Sequence, residues 1–214
     1  MRKAFHLLAL MVVIICWACP AAATPTFELT FDDLPTPNDK GIWGVVPEEY
    51  QDFYWKYVEV VNATAYAKNF GNTKIAFPSK PNAAYNGGLE GGFEVVAMAS
   101  SKPFILEGAY FSSWAQNNKL VSYGSKGLTV TGYLDGEVVG SSTFSLTPTF
   151  VWQELAMGPV DLVEFRHLEK DNAHWWLMDN LQVAAVPLPG TIMLVCAGVS
   201  GLLIFGRRRR YRDS

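Results

Sequence analysis

Leu128-Thr129-Val130-Thr131-Gly132-Tyr133-Leu134-Asp135-Gly136-Glu137 carries the clearest local instruction in the chain. Its first seven residues are rich in β-branched and aromatic side chains, which fit a pleated, half-buried surface. Asp135-Gly136 follows at once. That pair tolerates the two positive φ angles of a type I′ turn, whose twist matches that of paired strands. Residues 137–146 then read as the returning strand, so the stretch predicts a β-hairpin.

The same reading extends outward in both directions. Thr26-Phe27-Glu28-Leu29-Thr30-Phe31 alternates as a half-buried strand should. Segments 92–99, 104–114, 150–156, 160–168 and 175–183 are short, rich in Val, Phe, Tyr and Trp, and bounded by Gly, Pro, Asn and Ser. No segment sustains a 3.6-residue period. Residues 69–92 hold Pro78, Pro81, Gly87, Gly88, Gly91 and Gly92, and read as a long surface loop or a pair of short strands. Regularly spaced short strands without helices predict an all-β fold, a β-sandwich or jelly roll.

The two ends of the 214-residue chain differ from this middle. Arg2 and Lys3, an apolar run over 4–17, and Ala21-Ala22-Ala23 form the three parts of a secretory signal peptide, 1–23. At the other end, Val186-Pro187-Leu188-Pro189-Gly190 precedes an apolar run over 191–206, then Arg207, Arg208, Arg209 and Arg210. A bilayer core needs roughly 20 apolar helical residues, so 191–206 predicts a marginal transmembrane helix. Its basic end, within 207–214, stays cytoplasmic. The organisation expected is signal peptide 1–23, ectodomain 24–185 and C-terminal segment 186–214.

Removing the ends changes the chemistry of what remains. Cys16, Cys19 and Cys196 all fall in the end segments, so the ectodomain enters an oxidising compartment without a cysteine. Its stability must rest on an apolar core, with or without a metal. Of seventeen basic residues, seven sit at the ends and ten remain; of twenty acidic residues, all but Asp213 remain. The ectodomain therefore carries a net charge of −9, against −3 for the whole chain. So acidic a surface argues against nucleic acid and anionic lipid as partners.

The C-terminal segment resembles the PEP-CTERM sorting signals of Gram-negative, exopolysaccharide-producing bacteria, in the variant that reads Val-Pro-Leu-Pro-Ala. Leu188 stands where the name-giving Glu would be, and Gly190 where the variant has Ala. The resemblance implies an exosortase-type membrane protease as partner. It further implies an inner-membrane-anchored precursor, and a destination in the cell envelope, at the cell surface or in the extracellular matrix. A second resemblance covers most of the ectodomain. It is carried by Phe31-Asp32-Asp33-Leu34, the Pro47, Tyr50, Phe53 and Trp55 spacing, Pro81-Asn82-Ala83-Ala84-Tyr85-Asn86, Val130-Thr131-Gly132-Tyr133 and Met178-Asp179-Asn180-Leu181. This pattern is similar to exported bacterial domains with a galactose-binding-like jelly roll, a fold shared with many carbohydrate-binding modules.

Two groups of residues stand out as sites. A jelly roll often lays its first strand beside its last, which would bring Glu28, Asp32 and Asp33 toward Asp179 and Asn180. Ca²⁺ takes six to eight oxygen ligands, and this set offers several, so a structural Ca²⁺ tying the termini is one expectation. The other reading is that these acids cap turns. Sugars stack on aromatic rings and bond to amides, and Trp43, Tyr50, Tyr85 and Asn86 sit in loop-like context as carbohydrate-binding candidates. Tyr110 and Trp114 share one strand face and Phe111 takes the other, which suggests core packing. His167 and His174 lack a nucleophile motif or metal-ligand spacing, and no catalytic residue is assigned. Three functions follow: a non-enzymatic module for exopolysaccharide, a structural surface or matrix protein without a specific ligand, or a glycoside hydrolase using paired carboxylates.

Overall fold

The computed structural model describes residues 25–36, 43–87, 92–169 and 174–186. The expected signal peptide, the sorting motif beyond Val186, the 191–206 span and the basic tail lie outside the described residues. Among the described residues no helix is long and apolar enough to cross a membrane.

Thirteen strands and one helix are present among these residues: β1 (Thr26–Leu29), β2 (Trp43–Val45), β3 (Glu49–Tyr50), β4 (Phe53–Lys56), β5 (Glu59–Asn62), α1 (Ala63–Phe70), β6 (Asn82–Tyr85), β7 (Val95–Ser113), β8 (Ala115–Gln116), β9 (Lys119–Leu120), β10 (Gly127–Leu134), β11 (Glu137–Ser145), β12 (Val151–His167) and β13 (Trp176–Ala185). Eleven strands form one sheet, while β8 and β9 pair separately. The fold is all-β, as its patterning predicts. The 128–146 hairpin is β10 and β11, with Leu134 opposite Glu137. Asp135 and Gly136 have φ angles of 52° and 83°, the positive values the turn requires.

Two pairs of expected strands are single long strands. Segments 92–99 and 104–114 merge into the nineteen residues of β7, and 150–156 and 160–168 into the seventeen of β12. Along the β7–β12 ladder, Phe104 pairs with Val160, but the next pair is Ala99 with Leu162. Pro103, which has no N–H to donate, falls in this unpaired stretch. A ladder broken there lets the sheet bend.

That bend makes one sheet enclose a core. Both β4 and β13 bond to the edge of β7 away from β12, β4 near Ala97–Ala99 and β13 from Phe104 to Ser113. Yet Phe27 on β1, the strand beside β13, meets Phe53 on β4 at 5.9 Å. The sheet has therefore rolled over on its inner face. Trp55, Met98, Val130 and Phe165 from one half pack with Phe104, Leu106, Phe111 and Met178 from the other.

A second apolar cluster lies on the outer face. Tyr66, Phe77, Tyr85, Trp114 and Leu177 are buried there, with Trp43 and Phe70 packed against them. Its lid is α1, which the sequence pattern does not announce because eight residues are too few for a periodicity. Asn62 starts the helix by accepting hydrogen bonds from the Thr64 and Ala65 amides through Oδ1, at 3.0 and 3.2 Å. Gly71 ends it at φ 67°. The Tyr66 hydroxyl then accepts from the Ala115 amide at 2.8 Å, joining lid to sheet. This covered half ends at Phe77 and Phe150, whose rings lie 5.2 Å apart. Beyond them the outer face is open.

Candidate functional site

The open half of the outer face holds the site. On β7, Leu106 and Ala109 both point into the main core. These inward positions are offset by three in sequence instead of two, so Glu107 and Gly108 both lie outward. That is the mark of a bulge. On β13 a second irregularity falls between Asp179 and Gln182, where Asn180 takes a φ of 50°. The two bulges turn extra polar side chains toward solvent on neighbouring strands.

The result is a cleft of about 650 Å³ walled by Ala76, Phe77, Pro78 and Phe150, with Tyr110, Trp152, Glu28, Asn180 and Gln182 lining the rest. A smaller one of about 420 Å³ shares Trp152 and Gln182 with it and adds Glu107 and Glu154. The two form one groove across the strands. Ladder register places Glu28 opposite Gln182, Gln182 opposite Gly108, and Gly108 opposite Glu154. This row crosses four strands. With strands about 4.8 Å apart, its two carboxylates stand roughly 14 Å from one another at the backbone.

Gly108 sits mid-row for a steric reason. A Cβ there would lie 2.5 Å from Trp152 Cζ2 and 2.5 Å from the Gln153 carbonyl oxygen. The indole of Trp152 thus lies over the glycine, half-buried, with the Tyr110 ring edge-on at 5.3 Å. Beside it, Asn180 Nδ2 donates to Glu28 at 2.9 Å. Asn180 Oδ1 is buried and accepts no hydrogen bond. The groove offers a flat aromatic face, amides and carboxylates, and among the described residues no Lys or Arg lines it.

No family model matches the chain, and no curated protein matches it. Among solved structures, it is similar to a DUF4465 family protein from Bacteroides caccae at 12% identity and TM-score 0.45, covering 78% of this chain and 88% of that one. It is similar to the K1 cleaved adhesin domain of Lys-gingipain from Porphyromonas gingivalis at 14% identity and TM-score 0.41, covering 76% and 99%. A third likeness is to GH31 CBM32-2, solved bound to GalNAc, at 13% identity and TM-score 0.34, covering 77% and 100%. At these values none of the three bears on what this chain binds.

The residues expected to bind sugar are elsewhere and are enclosed. Tyr50 and Tyr85 are buried and lie in strands, not loops. Tyr50 donates to Asp33 at 2.6 Å, and Tyr85 donates to Glu59. Burial first, and the facing carboxylate second, push both phenols well above their usual range. Trp43 is half-buried and stacks on Trp114 at 5.8 Å, inside the second cluster. Asn86 is fully buried and bonds only to backbone: Nδ2 donates to the Phe93 and His174 carbonyls, and Oδ1 accepts from the Trp176 amide. Tyr50, Tyr85 and Asn86 present no face that a sugar could reach, and Trp43 is partly covered by the second cluster. Tyr110 is the opposite correction, a ring expected in the core that lines the groove.

The terminal acids are close, because β1 does pair with β13. They divide by their partners. Glu28 accepts from Asn180. Asp179 accepts from the Ser79 amide and hydroxyl at 3.0 Å each and from the Asn180 amide at 2.8 Å. Asp32 accepts from the Asn82 amide at 2.9 Å, and Asp33 from Tyr50. Among the described residues, no group of three or more His, Cys, Asp or Glu is placed to hold a metal ion. Asp179 and Asp32 together clamp the 79–82 segment, whose Asn82 Nδ2 also donates to the Phe31 and Leu34 carbonyls. That segment continues from Phe77 and Pro78, so the clamp positions the groove wall.

The two histidines are neighbours at 5.6 Å between rings, with Glu169 at 3.6 Å from His167 Nδ1. Burial lowers the His167 pKa, and Glu169 opposes this in part.

Proposed function

We propose that this is an exported, non-enzymatic binding module that holds a stretch of polysaccharide in the groove under Trp152. The observation that carries the reading is the half-buried indole lying across Gly108, with Tyr110, Gln182 and Asn180 around it. An exposed aromatic face takes the C–H side of a sugar ring, and adjacent amides bond its hydroxyls. A galactose-binding-like jelly roll and delivery by an exosortase-type system belong to the same proposal, and rest on the resemblances carried by the ectodomain motifs and by residues 186–210. A structural Ca²⁺ at the terminal acids also belongs to it. A titration repeated in Ca²⁺ and in EDTA tests it.

Titration of the full chain with exopolysaccharide fragments by calorimetry is expected to give saturable binding. Trp152→Ala is expected to weaken it by at least roughly tenfold, as loss of an aromatic anchor does. Gly108→Val is expected to do the same with the indole still present, because its side chain occupies the indole's place. Binding that both variants leave intact would exclude the groove. For delivery, a fluorescent fusion of the full chain is expected at the envelope, and deletion of 186–214 is expected to release it as an unanchored exported protein, because the signal peptide remains and the membrane span is gone. Unchanged location after the deletion refutes the sorting role.

A further inference from the structure

We infer that the groove selects polysaccharides bearing free amino groups, an inference that rests on the glycan-binding reading above. Three carboxylates line it: Glu28 at one end of the cross-strand row, Glu154 at the other, and Glu107 beside the indole. The bulge that turns Glu107 outward is part of the backbone, so this charge is built into the groove and not scattered on the surface. Among the described residues, no Lys or Arg in the lining offsets it.

The hydrogen-bonding balance points the same way. Glu28 accepts one bond from Asn180 and keeps a second oxygen with accepting capacity. Glu107 and Glu154 add two further carboxylates. The lining is therefore rich in acceptors, and a ligand that fills it supplies donors. An ammonium group brings three donors and a positive charge together. A uronic acid polymer brings acceptors and negative charge into a negative groove on a domain of net charge −9, and is repelled. An N-acetylated sugar presents the same ring to Trp152 without the charge. Ring stacking and charge selection are thus separable in this groove.

The test titrates the full chain with three oligomers of matched length: glucosamine, N-acetylglucosamine and galacturonate, at a pH where the amines are protonated. The glucosamine oligomer is expected to bind roughly tenfold more tightly than the acetylated one at low salt. That margin is expected to shrink as salt is raised, since exposed ion pairs are screened. The galacturonate oligomer is expected not to bind. The combined variant Glu28→Gln, Glu107→Gln, Glu154→Gln is expected to bind the first two equally, and Gln keeps the acceptor that Asn180 needs. Equal binding of glucosamine and N-acetylglucosamine oligomers by the native chain overturns the amine selection alone and leaves the glycan reading standing. A preference that survives in the combined variant, or in high salt, assigns it to other groups and likewise overturns it. No binding of any oligomer overturns both readings.

Discussion

Asn86→Ala is expected to lower the free energy of unfolding by about 4 kcal/mol, the sum of three buried backbone groups left without partners at about 1–2 kcal/mol each. The side chain bonds the Phe93 and His174 carbonyls at 3.0 Å and the Trp176 amide at 2.9 Å. These belong to the segment entering β7 and to the start of β13, so one amide fixes where two central strands begin. Gly92 is part of the same arrangement, since a Cβ there would lie 2.3 Å from Asn86 Nδ2. For a domain of this size the loss corresponds to a fall in Tm of roughly 10 °C. Thermal and urea unfolding measure it. A loss under about 1 kcal/mol would mean that water replaces the amide and that Asn86 is no keystone.

Asp179 is expected to make the fold less stable as pH rises from about 4 to about 7. Burial, opposed by three hydrogen bonds from Ser79 and Asn180 and helped by the charge of Asp32, raises its pKa from 3.8 to about 7. Below pH 3.8 the carboxyl is protonated in both folded and unfolded chains, and its stabilising share is complete. Between the two pKa values the unfolded chain releases the proton while the folded one keeps it. Each pH unit then removes about 1.4 kcal/mol, or on the order of 4 kcal/mol across the window. Above about 7 the loss is complete. Other carboxylates titrate in the same range, so the measurement is a difference. Unfolding free energies of the native chain and of Asp179→Asn are compared from pH 4 to 8. The native chain is expected to lose ground to the variant steadily up to about pH 7 and then run parallel. A constant difference across that range would show that Asp179 is ionised throughout. Because Asp179 holds Ser79, and Phe77 and Pro78 wall the groove, ligand affinity is a second place to look for the same pH dependence.

Local chemistry made the strands legible. Asp135-Gly136 has one favourable backbone conformation between two β-rich runs, and the hairpin follows from it wherever the chain is placed. The alternation in Thr26-Phe27-Glu28-Leu29 likewise predicts β1, although of its two inward positions Leu29 is buried and Phe27 is exposed. The pairing of β1 with β13 follows from the expected architecture, and brings the terminal acids together. The absence of cysteine from residues 24–185 meant that an apolar core had to carry stability, and Leu106, Met98 and Phe165 do so in full burial.

Only the tertiary structure decided which aromatics are walls and which are floor. Tyr50, Tyr85 and Trp43 look like loop aromatics in the sequence, but α1 and the bend in β7 enclose them. An eight-residue helix leaves no periodic trace, so nothing local announces that cover. Tyr110 looks like core because it alternates with Phe111, yet the face it occupies is covered at Trp114 and bare four residues earlier. The bulge at Glu107 and Gly108 is equally silent. It arises from register between strands distant in sequence, and a shift of one residue there sends a carboxylate outward and opens the place for Trp152. Strand identity is a property of neighbouring residues, which a sequence displays. Exposure is a property of what packs over them, and here that was set by contacts between segments fifty to a hundred residues apart.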